Sequence, residues 1–354
     1  MNFAIITDQH FCVRDSSDFF SDNYRNFYKN TFFPYLVEHG IKVILCLGDT
    51  FEDRRKLNIN GLQNAREMYF DEAERLGIKI ITILGNHDVY YKNTNRINSI
   101  DILCSAYKNI ELIYDTAVID LDGFKLALCS WINKENYKEC LDFIATCDAD
   151  YLAGHFEING FEMTKGHVCE TGMNKDLFKR FEEVWSGHFH IKSEIDNMKY
   201  LGNPSQTNKG DYNYARGFHV FETNDRTLTF IQNPYNVYIA VEYNDDIDIA
   251  TYNYEKAKGH IVFINISSLL KVDNVKLNLF VDKINEHAHS SEIVERENAL
   301  TESVKAEMLE EYETTIETIY AYVNEAITED EDKLYVNNYM DELYKESLTV
   351  CEDE

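Results

Sequence analysis

The chain has 354 residues, 44% hydrophobic and 27% charged, enough for two or three domains around a substantial core. No apolar run approaches the roughly 20 residues that a membrane span needs, and a formal net charge of −28 argues against undirected affinity for nucleic acid or anionic membranes. Eight cysteines lie scattered without a CxxC pair, mostly in apolar stretches such as "VILCLGD", which argues against a disulfide frame or zinc knuckle and for buried thiols in a reducing, cytoplasmic setting.

The opening "NFAIITDQH" reads directly as a strand, without the basic and apolar segments of a signal peptide. Apolar runs at Phe3–Thr7, Val43–Leu47 and Ile78–Leu84 alternate with helix-like stretches. Further strands are predicted at Lys125–Ser130, Asp150–Ala153, Val184–Ser186, Gly217–Phe221 and Leu228–Ile231. Early βαβ alternation followed mostly by strands predicts a layered α/β sandwich over residues 1–235. From about Pro234 the pattern changes. Strands at Asn236–Glu242 and Ile261–Ile266 and a helix at Val275–Ile284 predict a small α+β unit over 236–290. From 291 to 354 the chain carries 20 acids and 4 bases, net −16, leaving −12 for everything before it. Apolar positions at Leu300, Val304, Met308, Tyr312, Ile316, Ile319 and Val323 predict a long amphipathic helix there, with "TEDED" interrupting it before a second helix.

Five stretches place polar residues just past strand ends, where open α/β sheets put their sites. They are "TDQH" (Asp8, His10), "LGDTFED" (Asp49), "LGNHD" (Asn86, His87, Asp88), "AGHFE" (His155) and "SGHFH" (His188, His190). Singly each has a bland reading: a solvated loop, ordinary turn chemistry, a satisfied histidine. Together they bring five of the eleven histidines to four strand ends, and four of the stretches carry a glycine directly before the first polar residue. Asp, Asn and His in this pattern suit a two-metal centre with a bridging carboxylate. Two dications against two aspartates leave charge for one hydroxide and one phosphodiester, which favours a phosphate ester over a neutral amide. Histidine nitrogen favours manganese, iron or zinc over magnesium.

D-x-H, G-D, G-N-H-D, G-H and G-H-x-H, in this order, resemble the motif set of the calcineurin-like metallophosphoesterases. Details such as "GHFEINGFEMTKG" and "EVWSGHFH" resemble the SbcD-type branch and its phage recombination nucleases. The resemblance implies a four-layer α/β/β/α sandwich, a small capping domain that contacts DNA, and a C-terminal helical partner-binding segment. It implies two divalent ions, manganese foremost, one held by Asp8, His10, Asp49 and His190 and the other by Asn86, His155 and His188, with Asp49 bridging. His87 would be the catalytic histidine, stabilising charge on the phosphate or protonating the leaving oxygen. Family members often carry Asp or His three positions after the motif aspartate, where it orients that histidine. Glu52 holds that position here and Asp53 follows, so the orienting acid is open between them, and Asp88 could equally cap its own turn.

The implied activity is that of a DNA exonuclease, 3′ to 5′ on duplex ends, and single-strand endonuclease, serving recombination, repair and replication. The implied partner is an SMC-like ATPase of the SbcC type, in a heterotetramer around a nuclease homodimer. Candidate DNA contacts are Arg54, Arg55, Lys56, Lys92, Arg96 and Arg216, with Lys165 and Lys209 in later loops; each alone reads better as a solvated surface charge, and the DNA assignment rests mostly on the resemblance. The tail helices have two readings, folded back on their own domain or docked on the ATPase. The stripes Leu57, Leu62, Ala65, Met68, Tyr69, Leu76 and Ile97, Ile100, Leu103, Cys104 also have two, a dimer contact or burial against the sheet. A phosphoesterase for a small phosphodiester or phosphomonoester, and a non-enzymatic DNA-end scaffold, are the competing functions. The complete ligand set argues against the scaffold.

Overall fold

The computed structural model describes residues 1–164, 166–266 and 272–295, together with Val336. Nearly all of these belong to one compact unit, Met1–Asn265 and Lys271–Ile293. The tail helices expected from Leu300 onward lie outside the described residues, as does Lys165.

The first βαβ run supplies β1 (Asn2–Ile6), β2 (Val43–Cys46), β3 (Lys79–Ile83) and β4 (Ile110–Ile113). The middle of the chain gives β5 (Thr116–Leu121), β6 (Phe124–Cys129), β7 (Tyr151–His155), the short hairpin β8 (Glu162–Thr164) and β9 (His167–Val168), and β10 (Glu183–Gly187). Then follow β11 (Ser193–Ile195), β12 (Met198–Tyr200), β13 (Gly217–Glu222) and β14 (Thr227–Gln232). Last come β15 (Tyr238–Glu242), β16 (Ile261–Ile266) and β17 (Ser290–Glu295). One six-stranded sheet has the order β14-β13-β1-β2-β3-β4, parallel from β1 to β4, with β13 antiparallel to β1. The other has the order β11-β12-β10-β7-β6-β5 and is parallel from β12 to β6.

The two sheets share a core. Phe3, Ile5, Leu45, Leu47, Ile81 and Ile83 from the first meet Leu126, Leu128, Tyr151, Ala153 and Trp185 from the second. Alternate residues face outward: Ala127, Cys129, Leu152 and Val184 pack with Cys140 and Ile144 of the helix Tyr137–Thr146. The first sheet is covered by Asp18–Glu38 and Ile59–Arg75, helical throughout but each with a π turn, Tyr28–Phe32 and Arg66–Phe70. Their tyrosines Tyr28 and Tyr69 meet at 5.3 Å, and Phe32 lies edge-on to Phe218 of β13 at 4.8 Å. Each such fully buried large side chain is worth roughly 1.5–3 kcal/mol. The result is the four-layer α/β/β/α sandwich.

The stripe along Ile59–Arg75 divides. Ala65 and Tyr69 are buried in this chain's own core, whereas Leu62 and Met68 stay half-buried. Ile100 and Cys104 are likewise buried, while Ile97 is 46% exposed.

The small α+β unit is present as the sheet β15-β16-β17 and the helix Asn274–Asn285, whose Phe280 packs on Tyr243 at 5.1 Å. The expected boundary after residue 290 lies within β17, which runs from Ser290 to Glu295. The strand alternates too briefly, among Glu292 and Glu295, to stand out from the acidic run that follows. Among the described residues seven cysteines are free thiols, six of them buried, and no helix is long and apolar enough to cross a membrane.

Candidate metal centre

The register of the strands brings the motifs together. Ile6 lies beside Cys46, Cys46 beside Thr82, and His155 beside Gly187, so the loops after β1, β2 and β3 meet the ends of β7 and β10. Four of the polar residues adopt left-handed backbone: Asp8 (φ 50°), His10 (φ 46°), Asp49 (φ 50°) and His188 (φ 90°). Non-glycine residues rarely do so, and the surrounding packing must hold them there. Glycine makes the convergence possible. A Cβ on Gly85 would lie 2.1 Å from Asp49 Oδ1, and one on Gly187 would lie 2.1 Å from Thr7 Oγ1 and 2.9 Å from His155 Nδ1.

The seven expected ligand side chains converge, six of them buried and His188 partly so. They form two groups that could each hold a metal ion: Asp8, His10 and His190, and Asp49, His155 and His188. In the first, His10 Nε2 and His190 Nε2 are 2.9 Å apart, and each is 4.0 Å from Asp8 Oδ1. In the second, Asn86 Oδ1 lies 3.0 Å from His155 Nε2 and 2.9 Å from His188 Nδ1. Asp49 Oδ2 faces both groups, 3.8 Å from His10 Nε2 and 3.2 Å from His155 Nε2.

His87 stands at the edge, its ring 5.0 Å from that of His10. Its backbone N–H donates to Asp49 Oδ1 at 2.8 Å, and its ring Nδ1 lies 2.5 Å from the carbonyl oxygen of Glu52. The acids that could have oriented it are therefore resolved. Glu52 takes His87 Nδ1 on its backbone carbonyl, while its carboxylate lies 2.7 Å from His10 Nδ1. Asp53 accepts the N–H groups of Arg55 and Lys56 in its own turn. Asp88 is buried and accepts from the N–H groups of Thr50 (3.0 Å) and Gly85 (2.9 Å), tying the second and third motif loops together.

Of the expected DNA contacts, Arg216 is corrected. It is 4% exposed, bonded to Asp211, Asn203 and the carbonyl of His190, so it braces a ligand loop from inside. A buried guanidinium cannot reach a phosphate. Arg55 and Lys56 are exposed, and Arg55 lies over the Tyr90 ring at 5.6 Å. Arg54 is half-buried, Lys92 is exposed, and the exposed Arg96 pairs with Glu135. Lys209 pairs with Glu292 at 2.7 Å. Sequence reasoning missed Gln9, whose amide oxygen takes the Tyr28 hydroxyl at 2.5 Å and so anchors the D-x-H loop to a π turn. It also missed Trp131, whose ring lies 5.4 Å from that of His188. The only signal for Gln9 was its place between two ligands.

A family model described as calcineurin-like phosphoesterase matches residues 1–194. The chain belongs to the calcineurin-like phosphoesterases. This phosphoesterase is 32% identical over 318 residues to "Exonuclease subunit 1" of Enterobacteria phage T4, spanning 85% of this chain and 89% of the relative. Among solved structures it is similar to an archaeal phosphodiesterase (13% identity, 66% of this chain and 99% of the other, TM-score 0.34). A dimetal phosphatase from Danio rerio is also similar (12%, 62% and 91%, TM-score 0.37).

The pocket's electrostatics fit the divalent ions that this family implies. Burial by itself would lower His10, but the Glu52 carboxylate pushes it up to about 10. Burial likewise opposes a charge on His155, yet Asp49 raises it to about 9. His188 is held down to about 3 by burial and by His155, and His190 lies well below its ordinary value through burial and His10. Burial works against ionised Asp49, but His155 and His87 keep its carboxyl well below the usual range. Burial also pushes the Asp8 carboxyl up. Two aspartates beside the converging imidazole nitrogens are a donor set that suits a dication, which would take the place of the protons there.

Proposed function

We propose that this phosphoesterase is a manganese-dependent DNA nuclease. One ion is held by Asp8, His10, Asp49 and His190, the other by Asn86, His155 and His188, with Asp49 shared. The observation that carries the reading is the single Asp49 oxygen facing both groups of ligands. The relative named as an exonuclease subunit, alike over 85% of this chain, supports DNA as the substrate. When bound, the two ions neutralise the phosphodiester and activate the attacking water. The chain's own part falls to His87. Its Nδ1 proton is committed to the Glu52 carbonyl, an acceptor only, so Nε2 faces the substrate, and in the imidazolium form it carries the second proton, held against the phosphate or passed to the leaving oxygen. Arg54, Arg55 and Lys56, in the turn capped by Asp53, supply local positive charge for the DNA backbone beside the pocket, with Lys92 as a further contact.

In this reading residues 1–235 are the nuclease domain, the α+β unit that follows contacts DNA, and the acidic tail docks on an SMC-like ATPase of the SbcC type. Two nuclease subunits pair through the stripes around Leu62, Met68 and Ile97. The test compares release of nucleotides from 3′-labelled duplex DNA with turnover of a small phosphodiester, each with manganese. Preferential DNA cleavage is expected. Turnover confined to the small ester would replace the reading with a small-molecule phosphoesterase.

A further inference from the structure

Glu52 occupies the position where the family resemblance implies an Asp or His that orients the catalytic histidine, yet its carboxylate lies against His10. Oε2 lies 2.7 Å from His10 Nδ1, with the histidine 2% and the glutamate 24% exposed. The two atoms face each other at ion-pair distance without the alignment of a hydrogen bond, and a carboxylate so near favours the tautomer with its proton on Nδ1, which leaves the Nε2 lone pair for the pocket. That Nε2 is the atom facing His190, Asp8 and Asp49. Two of the other ligand histidines have different neighbours: His155 Nδ1 faces the neutral Leu47 carbonyl at 2.8 Å, and His188 Nε2 lies 3.8 Å from Glu157. The Glu52 carbonyl meanwhile takes His87 Nδ1. One residue thus serves two histidines through chemically separable groups.

We propose that Glu52 is a metal-positioning residue whose carboxylate fixes His10 for the first ion, while its backbone carbonyl, independently, fixes His87. The inference rests on the two-metal reading of the pocket. Carboxylates behind ligating histidines orient the ring and raise its basicity, and their loss typically lowers metal affinity 10–100-fold. Glu52→Gln removes the charge and keeps both the side-chain shape and the carbonyl.

The experiment is a calorimetric titration of the full chain with manganese, with the bound ions counted by electron paramagnetic resonance. The wild-type protein is expected to take two ions. Glu52→Gln should weaken one of them by about 10–100-fold and leave the other in place. The manganese concentration for half-maximal cleavage should rise by a similar factor. His10→Ala should weaken the same ion, and adding Glu52→Gln to it should weaken it no further, because the carboxylate acts only through that ring. Wild-type affinity for both ions in Glu52→Gln would overturn the proposal. So would additive losses in the double variant, or a fall in kcat that excess manganese does not restore, which would place the carboxylate's role at His87. The titration contains no DNA. A wild-type protein that binds two ions but leaves DNA uncut would therefore refute the nuclease reading and spare the role of Glu52.

Discussion

At the residue scale, the ligands were legible because they lie just past strand ends and, in four of the five stretches, behind a glycine, and both leave marks in the sequence. What the side chains do beyond ligation was not legible. Sequence offers Glu52, Asp53 and Asp88 as equivalent acids near His87, whereas the fold uses a backbone oxygen, which every residue type possesses. His87→Ala should lower kcat by about 10²–10³, the usual cost of a lost charge-stabilising donor, with both manganese ions still bound in a calorimetric titration. Unchanged cleavage would remove His87 from the chemistry. Arg216 misled for the opposite reason: a basic residue near the motifs reads as a phosphate contact until its burial is seen. Arg216→Ala leaves Asp211 buried without its cation, so it should destabilise the fold by about 3–5 kcal/mol in denaturant unfolding.

At the element scale, the long apolar strands declared themselves, and β16 runs over the predicted Ile261–Ile266. The strands overlooked were β4, β5, the β8–β9 hairpin, β11, β12 and β17. Several are only two or three residues long, too short for a period of two to show, and their pairing is set by neighbours distant in sequence. The π turns were equally hidden, since one extra residue per turn changes no composition. On β13, His219 pairs across to Phe230 of β14, with ring centroids 5.1 Å apart. Burial, then Lys192 and Lys199, hold His219 down to about 3 from an ordinary 6.5. The folded state therefore binds this proton less readily than the unfolded chain. Its contribution is complete above about pH 6.5 and is lost as pH falls toward 3, at up to about 1.4 kcal/mol per pH unit. His219→Phe should flatten the drop in Tm between pH 7 and pH 5; an equally steep drop in the variant would contradict this.

At the scale of the whole molecule, a layered α/β sandwich followed from the sequence because βαβ alternation restricts topology, whereas the four-layer order came only with the family resemblance. How an acidic chain meets a polyanion did not, since net charge says nothing about where the few bases lie. A chain of net charge −28 must concentrate its phosphate contacts in a small area. Arg55→Ala with Lys56→Ala should therefore reduce the slope of log binding constant against log salt by roughly one to two, uniformly across DNA sequences. An unaltered slope would move the DNA path away from that turn. The backbone twist at Asp8, His10, Asp49 and His188 has a consequence for inheritance. Each such left-handed residue costs of order 1–3 kcal/mol, so glycine at any of the four would ease the chain while destroying the pocket. A gene copy no longer needed for its chemistry would be expected to drift first at these sites, gaining heat resistance as it decays, and only continued use keeps the four residues in place.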